Sequence, residues 1–267
     1  MQSAMKSFPK TGNRAQDLIR EARRISDAIV AANPHVSGIL LTGGAARGFA
    51  DHLSDLDIEV FYRRDLTKVV LPPGAASGNY SPQGNYIETE LRCHDEWADR
   101  RNDERIWTMA NRWDKCHAQI LHDPRGEIAA LLRRKLVFRP GELRQLRRDA
   151  HGDMRWLCRG VAQDWIERGD LHAAHHVINT AIDLLLDYLF LKSSAFIPHS
   201  KWKLFFARQL EIIPRDFDAR LAEALIVREF SAEDIRRRQA ALFALVIEAQ
   251  HLPNLPDLPD LPDRRAV

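Results

Sequence analysis

The strongest constraint on this chain is the stretch Leu40–Tyr62, LLTGGAARGFADHLSDLDIEVFY. It reads as an apolar strand, a glycine pair, a short polar linker and a second apolar strand opening on Asp55 and Asp57. In an extended strand residues i and i+2 point to the same side, so the two carboxylates leave the sheet together. Held side by side they repel each other unless a cation sits between them. Oxygen ligands on a rigid strand suit Mg²⁺, which takes one or two protein carboxylates and completes its shell with water and phosphate oxygens. Gly43 and Gly44 supply backbone that turns tightly and exposes N–H groups to an anion. A carboxylate pair and a phosphate cradle joined by one short linker imply a nucleotide site.

Composition narrows the setting. The chain has 267 residues, enough for one large or two ordinary domains. With 45% hydrophobic and 28% charged residues and a net charge of +2, it reads as a globular protein whose overall charge argues for no particular partner. Cys93, Cys116 and Cys158 are scattered without CxxC spacing, which fits a reducing compartment and excludes a structural zinc site. The N-terminal MQSAMKSFPK has no apolar core and no stretch reaches about 18 apolar residues, so a cytoplasmic protein is expected, with no membrane partner.

The order strand, Gly43-Gly44, Arg47-Gly48, Ser54, Asp55-x-Asp57 resembles the signature of the polymerase-beta-like nucleotidyltransferase superfamily. It is most similar to the small-substrate members, the lincosamide and aminoglycoside nucleotidyltransferases, with Gly44 standing where many members have serine. The resemblance implies an α+β fold: an N-terminal nucleotidyltransferase domain (1–139), with a mixed sheet and flanking helices, ahead of a helical acceptor-binding domain (140–250). It implies an enzyme that uses Mg²⁺ and moves a nucleoside monophosphate, AMP first among them, from ATP or another NTP to a hydroxyl of a small molecule such as an antibiotic. Asp55 and Asp57 would be metal ligands and catalytic residues, while Gly43, Gly44, Arg47 and Ser54 would bind the nucleotide. The alternatives are transfer to a protein or tRNA, as in toxin–antitoxin systems, or a nucleotide-binding regulator whose catalysis has lapsed. Nucleic acid is otherwise not an expected partner, and the resemblance is compatible with a homodimer.

The superfamily requires a third acidic residue on a neighbouring strand. NYIETELRC carries Glu88 and Glu90 on one face of a half-buried strand. Both are candidates: Glu88 as a further metal ligand, Glu90 as the catalytic base. The Thr-Glu-aliphatic step shared with the lincosamide enzymes favours Glu90. IPHSKWKLFF resembles a Pro-x-x-Lys-Trp segment of the small-substrate enzymes, which would send Lys201 to the nucleotide phosphates.

Along the rest of the chain, residues 13–32 have helical spacing ended by Asn33-Pro34. Residues 63–84 are loop-like, with room for a short strand at 68–71. Asp95 is placed to cap one helix over about 96–114, and CHAQILHD reads as a strand turning through Gly126 into a helix. A basic run follows (Arg133, Arg134, Lys135, Arg139, Arg144, Arg147, Arg148), read as a solvated face or a contact for triphosphate or RNA. Pro140-Gly141 marks a boundary. Beyond it apolar residues repeat at three and four through one long helix to Gly169, a second at 171–192, and further ones near 200–210, 215–227 and 231–250, the pattern of an antiparallel bundle. On the 171–192 helix, His172, His176, Asn179, Asp183 and Asp187 form a polar stripe, read as solvent face or substrate wall. The tail 251–267, with its Leu-Pro-Asp repeat, is expected to be extended or disordered.

Overall fold

The computed structural model describes residues 13–65, 68–81 and 84–256. The chain divides into two compact units, the first running to Val137 and the second starting at Phe138.

The first unit is built on a four-stranded mixed sheet. Helix α1 (Ala15–Ala32) leads into β1 (Gly38–Leu41), the one-turn helix α2 (Gly43–Ala46) and β2 (Leu56–Tyr62). Then come β3 (Ile87–Cys93), the short helices α3 (His94–Ala98), α4 (Asp103–Ile106) and α5 (Met109–Cys116), strand β4 (Gln119–His122) and helix α6 (Glu127–Lys135). The strand order is β3-β2-β1-β4. β2 and β3 run parallel, while β1 is antiparallel to both β2 and β4. The two faces of β2 are covered differently. Leu56, Ile58 and Val60 join a core with Leu18, Ala22 and Ile29 of α1. Phe61, on the other face, meets Trp97 edge-on at 5.4 Å, and Trp97 meets Trp107 at 5.0 Å. The acidic residues of β2 share this second, tryptophan-rich face by strand alternation.

Two local expectations are corrected. Residues 68–71 form no strand: Val70 exchanges both its backbone hydrogen bonds with the side-chain amide of Asn33, at 2.7 Å each, so a side chain takes the place of a sheet neighbour. The single helix over 96–114 is broken twice, at Asp99 and at Trp107–Thr108. Asp99 accepts from the amide of Arg101 and Thr108 from that of Asn111, each opening a new helical segment, and the Trp107 indole captures the carbonyl of Trp97. Asp95 caps nothing; its carboxylate takes Arg63 and the amide of Arg64, both at 2.9 Å, which holds it below the usual carboxylate range.

The second unit is helical. Helix α7 (Glu142–Arg155) continues through a π-wound segment, Trp156–Val161, into α8 (Ala162–Glu167). The widening has a visible cause, since the Gln239 side chain donates to the Cys158 carbonyl at 2.8 Å and draws it out of the helical ladder. Gly169, with φ 80°, ends this helix, and Asp170 caps α9 (Leu171–Lys192). Helices α10 (Ser200–Ala207), α11 (Phe217–Leu225) and α12 (Ala232–His251) complete the unit. Ile178, Leu185 and Leu189 of α9 form one core with Met154, Leu221, Leu242 and Leu245. Among the described residues no helix is long and apolar enough to cross a membrane. Of the expected tail, residues 257–267 lie outside the described residues. Leu255 is tied down, its N–H donating to Lys192 O at 2.8 Å and its carbonyl accepting from Ser194 at 2.7 Å.

Candidate functional site

The amide of Thr42, at the end of β1, donates to Asp57 O at 3.0 Å and delivers the glycine pair beside β2. Gly43 has φ 66°, and a Cβ built there would stand 1.6 Å from Asp57 Oδ2. No side chain fits between that backbone and that carboxylate. A Cβ on Gly44 would come 2.7 Å from the carbonyl of Phe49, so the α2 turn leaves no room for a side chain there. Arg47 and Phe49 both donate to Gly44 O, which closes the turn. The linker is locked by Ser54, whose hydroxyl accepts from the Asp51 amide at 2.9 Å and donates to its carboxylate at 3.1 Å. Ser54 therefore sets up the entry of Asp55 into β2.

The parallel register places Asp57 opposite Glu88. One oxygen each from Asp55, Asp57 and Glu88 lie within 4.8 Å of one another. None of the three makes a side-chain hydrogen bond or ion pair among the described residues. Asp57 is pushed up to about 7, first by burial and then by the charges of Asp55, Asp114 and Glu88, with Arg47 opposing.

Two residues further along, Glu59 stands opposite Glu90. Here the charges are matched. Lys115 of α5 approaches Glu59 at 3.0 Å, Arg92 approaches it at 2.9 Å, and Arg92 also pairs with Glu90. Burial works against the Lys115 charge, but Glu59 and Asp114 outweigh it and hold the ammonium above its ordinary range. Asp114 in turn binds Lys115 at 3.0 Å and Arg47 at 2.8 Å.

The structure thus brings Asp55, Asp57, Gly43 and Gly44 together with Glu88. Glu90 lies one alternate position away, paired to Arg92. Arg47, 5% exposed, is engaged by Asp114 and stacked over Trp113 at 4.8 Å. Lys201 is exposed on α10 in the second unit. The buried lysine of that segment is Lys203, held by Asp183 at 2.6 Å and Asp187 at 2.7 Å. Three of the five residues of the α9 polar stripe are thus engaged by buried cations, since Asn179 accepts from the fully buried Arg238.

Sequence reasoning missed Asp114 and Lys115. The available signal was a charged pair flanked by Trp113 and Cys116.

Comparison with known proteins adds little. No protein-family model matches the chain and no curated protein matches it. Among solved structures it is similar to the crystal structure of a nucleotidyltransferase-like protein from Exiguobacterium sibiricum 255-15, at 15% identity and a TM-score of 0.45, covering 84% of this chain and 74% of that one.

Proposed function

We propose that this chain is a Mg²⁺-dependent nucleotidyltransferase that moves a nucleoside monophosphate, AMP first among them, from an NTP to a hydroxyl of a small acceptor. The supporting observation is the uncompensated trio Asp55, Asp57 and Glu88 beside a glycine pair with no room for side chains. The trio fits a hard divalent cation: its donors are all oxygen, and one of them, Asp57, is raised to about 7 first by burial and then by its neighbours' charge. Asp55 and Asp57 would hold the ion with Glu88. When bound there, Mg²⁺ supplies a Lewis acid for the charge that develops at the α-phosphoryl group.

The chain's own residues do the rest. Gly43 and Gly44 keep the backbone beside the carboxylates bare, which leaves space for a triphosphate. Ser54 fixes the turn that orients Asp55. Arg47 supports through Asp114 the helix that borders the site. The acceptor oxygen bonds to the α-phosphorus as the bond to the pyrophosphate oxygen breaks. Glu88, the exposed member of the trio, is open to receive the hydroxyl proton. The small acceptor follows from the resemblance to lincosamide- and aminoglycoside-modifying enzymes.

The test is to incubate the full chain and Mg²⁺ with each α-labelled NTP, alone, with a panel of hydroxylated antibiotics, and with cell lysate. Label on a small molecule with release of pyrophosphate is the expected result. Label on protein or RNA would replace the acceptor, and bound but unreacted nucleotide in every arm would overturn the enzyme.

A further inference from the structure

Tyr86 stands just ahead of β3, and the β2–β3 ladder continues to it, the Leu56 amide donating to Tyr86 O at 2.9 Å. It lies one rung before Leu56↔Ile87, beside Asp55. By strand alternation its side chain leaves the sheet on the same side as Glu88. Burial alternates in step, with Asn85, Ile87 and Thr89 buried and Tyr86 and Glu88 exposed between them. Tyr86 also bridges antiparallel to Tyr80, and the two rings meet edge to face with centres 5.6 Å apart.

The turn that carries this pair is closed without the rings. The Ser81 amide donates to Asn85 O at 2.8 Å, and Ser81 Oγ accepts from the Asn85 amide at 3.1 Å. The Asn85 side chain donates to Glu21 of α1 at 2.6 Å, both residues being buried. Ser77 exchanges hydrogen bonds with the backbone of Thr89, at 2.7 Å each, and fastens this segment along the outer edge of β3. The rings are thus fixed at their base and open above it: Tyr80 is 67% exposed and Tyr86 42%.

Their place relative to the nucleotide decides what they can hold. In an in-line displacement the attacking and leaving oxygens stand on opposite sides of the phosphorus. Gly43 and Gly44, beside which the leaving phosphates would lie, follow β1 on one side of β2. Glu88 and Tyr86 belong to β3, on the other side. The acceptor therefore enters from the tyrosine side.

We propose that Tyr80 and Tyr86 form the acceptor platform of this site, and that the platform takes a hydroxylated ring of sugar size by its C–H face. The proposal rests on the reading of the trio as a nucleotidyl-transfer site. Tyr86 and Glu88 are two residues apart, a rise of roughly 6.6 Å along the strand, which one six-membered ring and its hydroxyl can span. The negative face of a tyrosine ring attracts polarised C–H bonds, while hydroxyls at the edge of the sugar stay free for water and for Glu88.

The chain has four tyrosines, Tyr62, Tyr80, Tyr86 and Tyr188, so fluorotyrosine labelling gives four fluorine resonances, assigned by single phenylalanine substitutions. The labelled full chain is titrated with methyl glucoside, glucosamine and myo-inositol to about 10 mM, above the range in which enzymes usually hold their substrates. At least one of these should shift Tyr80 and Tyr86 and leave Tyr62 and Tyr188 in place. Tyr86→Ala should weaken that binding about tenfold and Tyr86→Phe by less than about twofold, because the ring and not its hydroxyl makes the contact. MgATP should bind Tyr86→Ala as tightly as wild type. Shifts of the pair with MgATP that inorganic triphosphate does not reproduce would put the donor's base on the platform and overturn the proposal. Shifts with a short single-stranded oligoribonucleotide but with none of the rings would make the acceptor an RNA end and overturn it too. Silence of both resonances with every ring compound has the same consequence. Calorimetry with MgATP separates the two levels of failure. If Mg²⁺-dependent binding persists in wild type and is lost in Asp57→Asn, the trio stands and only the platform falls; without any such binding, the reading of the trio falls with it.

Discussion

On the β2–β3 ladder Asp57 stands opposite Glu88, and two residues on Glu59 stands opposite Glu90. Both rungs are acid against acid on the same face of the same pair of strands. The second is neutralised: Lys115, Arg92 and the next layer of Asp114 and Arg47 give its charges partners. The first has Asp55 added to it and no cation in ion-pair range among the described residues. One rung is thus a structural ion network and its neighbour a site that needs a cation from outside. The difference does not come from the strands. It comes from α5, which sets Lys115 over one rung and stops short of the other, and from Gly43, which brings bare backbone against Asp57.

The largest effect should fall on the first rung. Asp57→Asn and Glu88→Gln should each lower nucleotidyl transfer by on the order of 10³-fold, as loss of electrostatic stabilisation at a reacting centre does, with little loss of folding stability. Steady-state rates alongside thermal melts would show it; near-normal turnover in Glu88→Gln would erase the contrast. The matching change on the second rung is Lys115→Met. It should destabilise the fold by about 3 kcal/mol, because Glu59, 3% exposed, loses one of its two cations in the interior. Denaturant melts measure this, and Mg²⁺ binding in the surviving folded protein should persist.

A third effect is a pH dependence confined to the first rung. Asp57 ionises near 3.8 in an unfolded chain and at about 7 in the fold. Between those values the unfolded state gives up a proton that the folded state keeps, so the metal-free protein loses stability as pH rises from about 4 to about 7, and the loss is complete above 7. Mg²⁺ must displace that proton below pH 7, so it should raise the melting temperature more at pH 8 than at pH 5.5. At about 100 times its Kd the gain at high pH should be about 2.7 kcal/mol. Equal shifts at both pH values, or an unchanged Mg²⁺ response in Asp57→Asn, would remove Asp57 from the cation site.

Much of this was legible in advance, and what was not shares a cause. The strands carrying the acids, the glycine pair, α1 and the helical second half all follow from periodicity and punctuation within a few residues of one another. Register across a parallel ladder does not. Whether Glu88 or Glu90 meets Asp57 depends on where two strands 31 residues apart line up, since Asp57↔Glu88 is a tertiary fact. The same holds for the broken helix over 96–114, where Asp99, Thr108 and the Trp107 indole compete with the helical ladder. Lys115 and Lys203 were invisible as buried cations because burial is decided by the partners brought to them, Glu59 in one case and Asp183 with Asp187 in the other. That Gly44 must be bare is likewise set by a tertiary approach, that of the Phe49 carbonyl.

The smallest effect, and the sharpest division between the rungs, belongs to Glu90. The family resemblance favours it as the catalytic base; the fold pairs it with Arg92, one alternate position along from Glu88, with 45% of its side chain exposed. An exposed member of an ion pair contributes about 0–1 kcal/mol, so Glu90→Gln should leave stability within that range. Arg92 would keep Glu59, at 2.9 Å, and the network would survive with one charge fewer. Turnover should then stay within about fivefold of wild type, the factor that corresponds to about 1 kcal/mol in the barrier. The decisive comparison is Glu88→Gln against Glu90→Gln in one assay, reading transfer and Mg²⁺ affinity together. If the two exchanged roles, with Glu90→Gln inactive and Glu88→Gln active, the base would lie on the neutralised rung. Arg92 would then have to release Glu90 on substrate binding, and the two rungs would form one site.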